Sequence, residues 1–318
     1  MLNHILIPLD GSSLAECVLP HAVALAQPFD ATLTLLQVLD RPPTISRSQS
    51  IPLLDWHIRK AEATSYLDGV SGRLKEMHLD VQTVVTEGRI AEQVVEFAHG
   101  NDIDMILLSS HGRSGLSGWN ISSVVQKVAL MACLPTMIVR AYRMTSTDLA
   151  HLRYRRLLVP LDCSQRAESV LPLVTTLARH HQSDILLAHV VCTPEMPHRA
   201  PPTPAEHALV VQIVEQSRRK AQKYMEQVQG PIRSTSQIHL LSSHSVAAAL
   251  HNLVQQEKVD LVILSAHGYS GENRWPYGSV ALNFIAYGTT PLLIVQDLSR
   301  DELGGTQAQL AARERTGH

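Results

Sequence analysis

The residues best suited to chemistry stand at the ends of short apolar runs. Ser265-Ala266-His267-Gly268 follows Leu261-Val262-Ile263-Leu264, and nine residues later Gly278-Ser279 opens a stretch of helical periodicity. Glycines let backbone N–H groups approach a charged oxygen where a β-carbon would collide. A helix starting at Ser279 adds its positive end and a hydroxyl. Together these suit a polyphosphate. Asp162 closes another apolar run, Leu157-Leu158-Val159-Pro160-Leu161, where its carboxylate can reach a purine or ribose. Two strand ends would thus converge on one crevice.

The same constellation occurs twice. Ile5-Leu6-Ile7-Pro8-Leu9-Asp10 returns as Leu157-Leu158-Val159-Pro160-Leu161-Asp162, an offset of 152 (162 − 10) that also carries Ser12 to Ser164 and Val18-Leu19-Pro20 to Val170-Leu171-Pro172. Asp104-Met105-Ile106-Leu107-Leu108-Ser109-Ser110-His111-Gly112 matches Asp260-Leu261-Val262-Ile263-Leu264-Ser265-Ala266-His267-Gly268 at an offset of 156 (260 − 104). Trp119, Ser123-Val124 and Pro135 keep that second offset to Trp275, Ser279-Val280 and Pro291. A fixed period of this length marks a duplicated domain. The boundaries expected are 1–144 and 153–298, with 299–318 as a mobile, charged tail.

Each copy alternates strands with helices. In the first, residues 5–9, 33–39, 81–86, 105–109 and 136–140 are continuous apolar or β-branched runs, as strands covered on both faces require. Residues 13–26, 58–77, 90–98 and 123–132 show apolar side chains at three- and four-residue spacing. The fold class expected is α/β: two tandem, doubly wound, Rossmann-like domains, each with a five-stranded parallel sheet. Ligands of such sheets bind beyond the strand C-termini, at the switch in strand order. Residues 41–54 and 192–205, rich in Pro and Ser, read as loops or lids. Trp56 opens the long second helix, its indole packed against the sheet or the other domain.

The motifs resemble the G-x-x-G, nine residues, G-[S/T] signature of the universal stress protein family. Pro-Leu-Asp-x-Ser after the first strand and Pro before the last are similar to the same family. The resemblance implies adenine-nucleotide-binding domains, taking ATP, ADP or AMP with Mg2+ accompanying ATP. It implies contacts at Pro160, Leu161, Asp162, Val190, Leu264, Ser265, His267, Gly268, Gly278, Ser279 and Val280. In the first copy they fall on Pro8, Leu9, Asp10, Val38, Ser109, Gly112, Ser122, Ser123 and Val124. It further implies pairing of the two domains within the chain, with a homodimer also open, and a regulatory or protective role in the stress response without turnover.

The copies depart from the signature unequally. Ser265 and Ser109 both stand where the signature prefers glycine. Ser122 additionally replaces the glycine before the helix, which puts a side chain where phosphates would lie. The second copy is therefore the stronger candidate site. The first binds weakly, takes a shorter nucleotide, or serves as a pairing surface.

Other chemistries fit less well. An Asp after a strand often caps a helix, and Asp10 with Ser12 and Ser13 suits that role. Slow ATP hydrolysis stays open, although no paired nucleophile and general base is visible. A module with vestigial sites also stays open. No Walker lysine follows a glycine-rich loop. A receiver domain would need clustered acids and a lysine after the last strand, where this chain has Arg140 and Gln296. His111 and His267 lie beside the loops, able either to contact phosphate or to bond backbone. Among 17 histidines the nearest cluster is His180, His181 and His189, which lacks a completing ligand and reads as a solvated surface.

Bulk composition sets the remaining bounds. With 318 residues, 45% hydrophobic, 18% charged and net charge −2, the chain reads as two ordinary globular domains rather than a nucleic-acid binder. No secretory leader is evident, because His4, Pro8, Asp10 and Glu16 interrupt the first apolar stretches, and no run approaches membrane-spanning length. A cytoplasmic location is expected. Cys17, Cys133, Cys163 and Cys192 form no C-x-x-C pair and read as reduced, buried small hydrophobes.

Overall fold

Strands that are apolar on every residue need cover on both faces, and alternating helices supply it. In the computed structural model, which describes residues 2–40, 51–113, 121–141, 149–194, 203–269 and 276–297, the chain forms two units. One is built on Met1–Arg153, the other on Tyr154–Glu272 with Tyr277–Asp297.

In the first unit the strands are β1 (His4–Pro8), β2 (Thr32–Leu39), β3 (Val81–Glu87), β4 (Met105–Ser109) and β5 (Thr136–Val139). The helices are α1 (Leu19–Ala26), α2 (Ile51–Lys75), α3 (Ile90–Gly100) and α4 (Ser123–Ala132), with a 3-10 turn at Ala15–Val18. Ile5, Leu6, Ile7, Leu33, Leu35, Met105, Ile106 and Leu107 are wholly buried. Each such side chain contributes about 1.5–3 kcal/mol of transfer free energy. Parallel pairing runs β1 with β2 (Ile5 opposite Leu33), β1 with β4 (Ile5 opposite Met105), β2 with β3 and β4 with β5. The order β3-β2-β1-β4-β5 therefore reverses direction between β1 and β4. The crevice outside their carboxyl ends is the switch point at which such sheets bind ligands.

The second unit repeats this plan. Its strands are β6 (Arg156–Pro160), β7 (Asp184–Cys192), β8 (Ser236–Ser243), β9 (Leu261–Ser265) and β10 (Leu292–Val295). Its helices are α5 (Gln165–Glu168), α6 (Leu171–His181), α7 (Pro204–Gln229), α8 (Val246–Gln256) and α9 (Ser279–Tyr287). The order is β8-β7-β6-β9-β10, again parallel, with the switch between β6 and β9. In both units one acid pins the start of the central strand: Asp104 Oδ2 accepts the N–H groups of Asn3 and His4, and Asp260 Oδ2 those of Arg155 and Arg156.

The expected elements are present, with shifts that have physical causes. The first helix, expected over 13–26, is broken into the 3-10 turn and α1. Pro20 sits in the first turn of α1 and Pro172 in that of α6, and a proline lacks the N–H that would continue a ladder from the preceding turn. Helix α2 begins at Ile51 instead of residue 58, so 51–54 are helix and not loop, and Trp56 lies inside it. A proline near a helix start is compatible with helix, which is why composition misled there. Helix α7 begins at Pro204 behind a capping box formed by Thr203 and Glu206. Of the expected loops, 41–50 and 195–202 lie outside the described residues, as do Trp119, Trp275 and the tail 299–318. Among the described residues no helix is long and apolar enough to cross a membrane.

Candidate functional site

The second crevice begins where β6 stops. Leu161 N–H donates to Ala188 O at 2.8 Å, extending the ladder one residue past Pro160. Asp162 then turns out, exposed. Its Oδ1 accepts the N–H of Ser164 at 3.1 Å and the Ser164 hydroxyl at 2.6 Å. Ser164 Oγ in turn accepts from Ala167 N–H at 3.2 Å, capping α5. The other oxygen, Oδ2, accepts the N–H of Tyr269 at 2.5 Å. Three of the roughly four acceptor positions of a carboxylate are thus used to close the loop. Pro160 pairs with Ala188, so Val190 lies two residues beyond, past the end of β6 and half-buried.

Against Asp162 stands the loop after β9. A β-carbon on Gly268 would overlap Asp162 Oδ2. The glycine expected to admit a phosphate is therefore also what admits the carboxylate. Leu264 is buried, and Ser265 is 8% exposed with no hydrogen-bond partner for its hydroxyl among the described residues. Ala266 N–H donates to Val295 O, and Gly278 N–H donates to Ala266 O at 2.7 Å, which folds the start of α9 back over the strand end. Gly278 is the N-cap of α9 and provides no side-chain cap. Its φ is −73°, and a β-carbon there would come no closer than 3.4 Å to any atom. Glycine at 278 is thus not demanded by backbone or space; what it does is leave the first N–H groups of α9, near exposed Ser279 and half-buried Val280, without a side-chain acceptor.

The His267 ring is turned into the unit, with its side chain 1% exposed and Nδ1 2.8 Å from Asp297 Oδ1. It offers no nitrogen to a phosphate at the surface; only its backbone stands in the loop.

The first crevice has the same frame. Leu9 N–H donates to Leu36 O, Asp10 Oδ1 accepts from Ser12 N–H and Oγ, and Oδ2 accepts from Arg113 N–H. A β-carbon on Gly112 would overlap Asp10 Oδ2. Pro8 pairs with Leu36, which puts Val38 beyond the strand end. The helix start differs. Ser122 N–H donates to Ser110 O as Gly278 does to Ala266, but Ser122 Oγ accepts Val125 N–H at 3.3 Å and caps α4 above exposed Ser123 and half-buried Val124. Ser109 Oγ lies 2.9 Å from Leu14 O, 2.6 Å from His111 O and 3.3 Å from Cys17 Sγ. Both groups left open in the second unit are satisfied within the protein in the first.

The turn after β1 and β6 is left-handed in both units, with Gly11 at φ 81° and Cys163 at φ 68°. Arg113 overhangs the first turn: a β-carbon on Gly11 would lie 3.1 Å from its guanidinium. Cys163 Sγ lies 3.7 Å from His189 Nδ1, and burial, then Asp162 and Glu168, push the thiol up from its ordinary pKa. Tyr224 donates to Glu168 Oε1 at 3.0 Å; burial and then that carboxylate raise its phenol well above the usual range. The cysteines are free, but only Cys133 is buried: Cys163 and Cys192 are exposed and Cys17 is half-buried, contrary to expectation. His181 is buried with its ring edge-on to Tyr154, while His180 is exposed and His189 half-buried, so the solvated surface expected of that cluster holds for His180 and fails for His181. Among the described residues no three metal-ligating side chains gather. Trp56 and Lys60 of α2 line a cavity of about 370 Å³ together with Val85, Thr86 and Glu87 of β3.

Sequence inspection missed Arg166 and Asp297. The signal was available: at the second offset Asp297 replaces Ala141, and at the first Arg166 replaces Leu14.

Comparison with known proteins identifies the family and the fold of both units. The profile of the Universal stress protein family matches residues 1–140 and again 153–296. The universal stress protein MJ0531 of Methanocaldococcus jannaschii is 30% identical over 142 residues, covering 44% of this chain and 83% of that protein. YxiE of Bacillus subtilis, also a universal stress protein, is 29% identical over 148 residues, covering 44% of this chain and all of that one. A crystal structure of a universal stress protein from Archaeoglobus fulgidus superposes with a TM-score of 0.65 at 15% identity, over 94% of this chain and 100% of that one. Single-domain relatives match half the chain, and the profile matches twice. The chain is a member of the universal stress protein family that carries the family's domain twice in tandem.

Proposed function

We propose that this chain binds an adenine nucleotide, ATP foremost, in the crevice of the second unit, and acts as a regulatory or protective protein of the stress response. The observation that carries this reading is the pair of groups there that no described residue fills: α9 starts without a side-chain cap at Gly278, and the buried Ser265 hydroxyl has no partner among the described residues. A helix start of this kind favours an anion by its N–H groups and its dipole. The base and ribose would lie toward Asp162, Pro160, Leu161 and Val190, and the phosphates toward Ser265, Gly268, Gly278, Ser279 and Val280. The hydroxyls of Ser265 and Ser279 suit the Mg2+ that accompanies a triphosphate. In the first unit Pro8, Leu9, Asp10, Val38, Gly112, Ser123 and Val124 offer the same frame, but Ser122 fills the helix start and Ser109 is already bonded. That unit is proposed as the weaker site.

Occupancy would act by shifting the population of loop conformations, which requires a difference in affinity between them but no chemical step. Calorimetric titration of the full chain with ATP, ADP and AMP tests the reading. Saturable binding, tighter for ATP than for AMP, is expected. Absence of saturation up to about millimolar ligand, a binding free energy weaker than about 4 kcal/mol, would reject it.

A further inference from the structure

Each unit fixes the histidine that follows its fourth strand, but with a different partner. In the first, Ser110 Oγ lies 3.1 Å from His111 Nδ1 and accepts the N–H of Ala141 at 3.0 Å. In the second, the serine is replaced by Ala266 and the alanine by Asp297, each at the offset of 156 (266 − 110 and 297 − 141). Asp297 Oδ1 accepts the His267 backbone N–H at 3.1 Å and meets the ring Nδ1 at 2.8 Å, while Oδ2 lies 3.6 Å from Arg166 Nε. The Asp297 side chain is 1% exposed.

A carboxylate that deep costs several kcal/mol of desolvation unless specific partners offset it. Its partners here come from the two loops that form the crevice. His267 precedes Gly268. Arg166 lies in α5, whose cap Ser164 is bonded to Asp162. One buried acid thus ties the strand end at β10 to the loop of Gly268 and to the helix behind Asp162. The first unit has Leu14 in place of Arg166, and its Ser110 joins His111 to Ala141.

We propose that Asp297 is a positioning residue of the second crevice, holding the His267-Gly268 backbone and the Arg166 helix so that Gly268 stays seated on Asp162. The hold on the loop needs no ligand; only the effect on nucleotide affinity rests on the function proposed above.

The test uses the full chain, with Asp297→Ala and with Ala266→Ser/Asp297→Ala, which installs the first unit's arrangement in the second. Amide hydrogen exchange is followed at 266–269 and 110–113, together with ATP affinity. Asp297→Ala is expected to speed exchange at 266–269 about tenfold or more while 110–113 stays unchanged, because local opening is set by local contacts. A loop that is closed only a fraction of the time raises the apparent Kd in proportion, here about fivefold or more. The double variant is expected to restore most of both. Unchanged exchange at 266–269 in Asp297→Ala, equal opening in the single and double variants, or a loss of protection spread evenly over the second unit would each overturn the proposal. If the exchange pattern appears but wild type binds no ATP, the nucleotide reading fails and the positioning role of Asp297 stands.

Discussion

Gly268 sits so close to Asp162 that a β-carbon on the glycine would occupy the place of the carboxylate oxygen Oδ2, and Gly112 stands in the same relation to Asp10. The motif glycine and the motif aspartate, 106 positions apart in sequence (268 − 162), are two halves of one contact. Asp162 Oδ2 then accepts the N–H of the residue after the glycine. The contact fixes where the two loops meet before any ligand is considered.

Gly268→Ala and Gly112→Ala are accordingly expected to destabilise the chain by similar amounts, about 1–3 kcal/mol each, as overpacking does in a site that cannot retreat. Their effects on ATP affinity are expected to differ, with the larger loss at Gly268. Urea unfolding followed by circular dichroism, with calorimetry for binding, separates the two quantities. A Gly268→Ala protein as stable as wild type would contradict the contact.

Gly278→Ser is expected to do the opposite to stability. Space and backbone at 278 accept a β-carbon, and a serine at an N-cap is worth a few tenths of a kcal/mol over glycine. The same hydroxyl would take the N–H that a phosphate needs, as Ser122 does with Val125. A slightly higher melting temperature with about tenfold weaker ATP binding is the expected pair of results, the lost charge-assisted hydrogen bond being worth roughly 1.5 kcal/mol. Equal or tighter binding would show that the open helix start is not used.

Acid should weaken the chain through His21, whose ring is fully buried in α1 and whose pKa burial lowers from 6.5 to about 3. Below pH 6.5 the unfolded chain takes up a proton that the folded chain refuses until about pH 3. Stability from this group is therefore complete above 6.5 and lost as pH falls through that window. Between pH 6.5 and 4.5 the loss is about 2–3 kcal/mol from this group alone, at about 1.4 kcal/mol per unit. His21→Gln should show a shallower decline in urea midpoint over the same range. Identical slopes would assign the acid sensitivity elsewhere.

Thiol labelling should follow exposure. Cys163 and Cys192 are exposed and Cys133 is buried, so iodoacetamide at pH 8 should modify the first two early and Cys133 only on unfolding. Cys163 should react more slowly than Cys192, because burial and its acidic neighbours raise its pKa and the thiolate is the reactive form. Saturating ATP should slow Cys163, which follows Asp162, and leave Cys192 unchanged. Protection of both alike would argue that the nucleotide lies elsewhere.

Much of this architecture was legible in the residues. The runs through Ile5-Leu6-Ile7 and Leu261-Val262-Ile263 are apolar at every position, as only strands covered on both faces can be, and both proved central. The switch point followed, because parallel strands joined by right-handed crossovers leave few orders. Legibility failed where one residue's role depends on a distant partner. Gly268 was read as room for a phosphate, yet the atom that needs the room belongs to Asp162. His267 was left between a phosphate contact and a backbone bond, and the partner its ring takes, Asp297, stands 30 positions away. Cys163 looked like a small hydrophobe, whereas its place is set by a left-handed turn that the first copy builds with Gly11. Comparing the copies position by position carries some of this information, since Ala141 and Asp297 differ where the partners differ.

The asymmetry between the crevices is most directly tested by the stoichiometry of ATP on the full chain, measured by native mass spectrometry with Asp162→Ala and Asp10→Ala beside wild type. One tightly held nucleotide per chain, lost in Asp162→Ala and kept in Asp10→Ala, is the result expected. Two equivalent nucleotides, or equal losses in the two variants, would contradict the account.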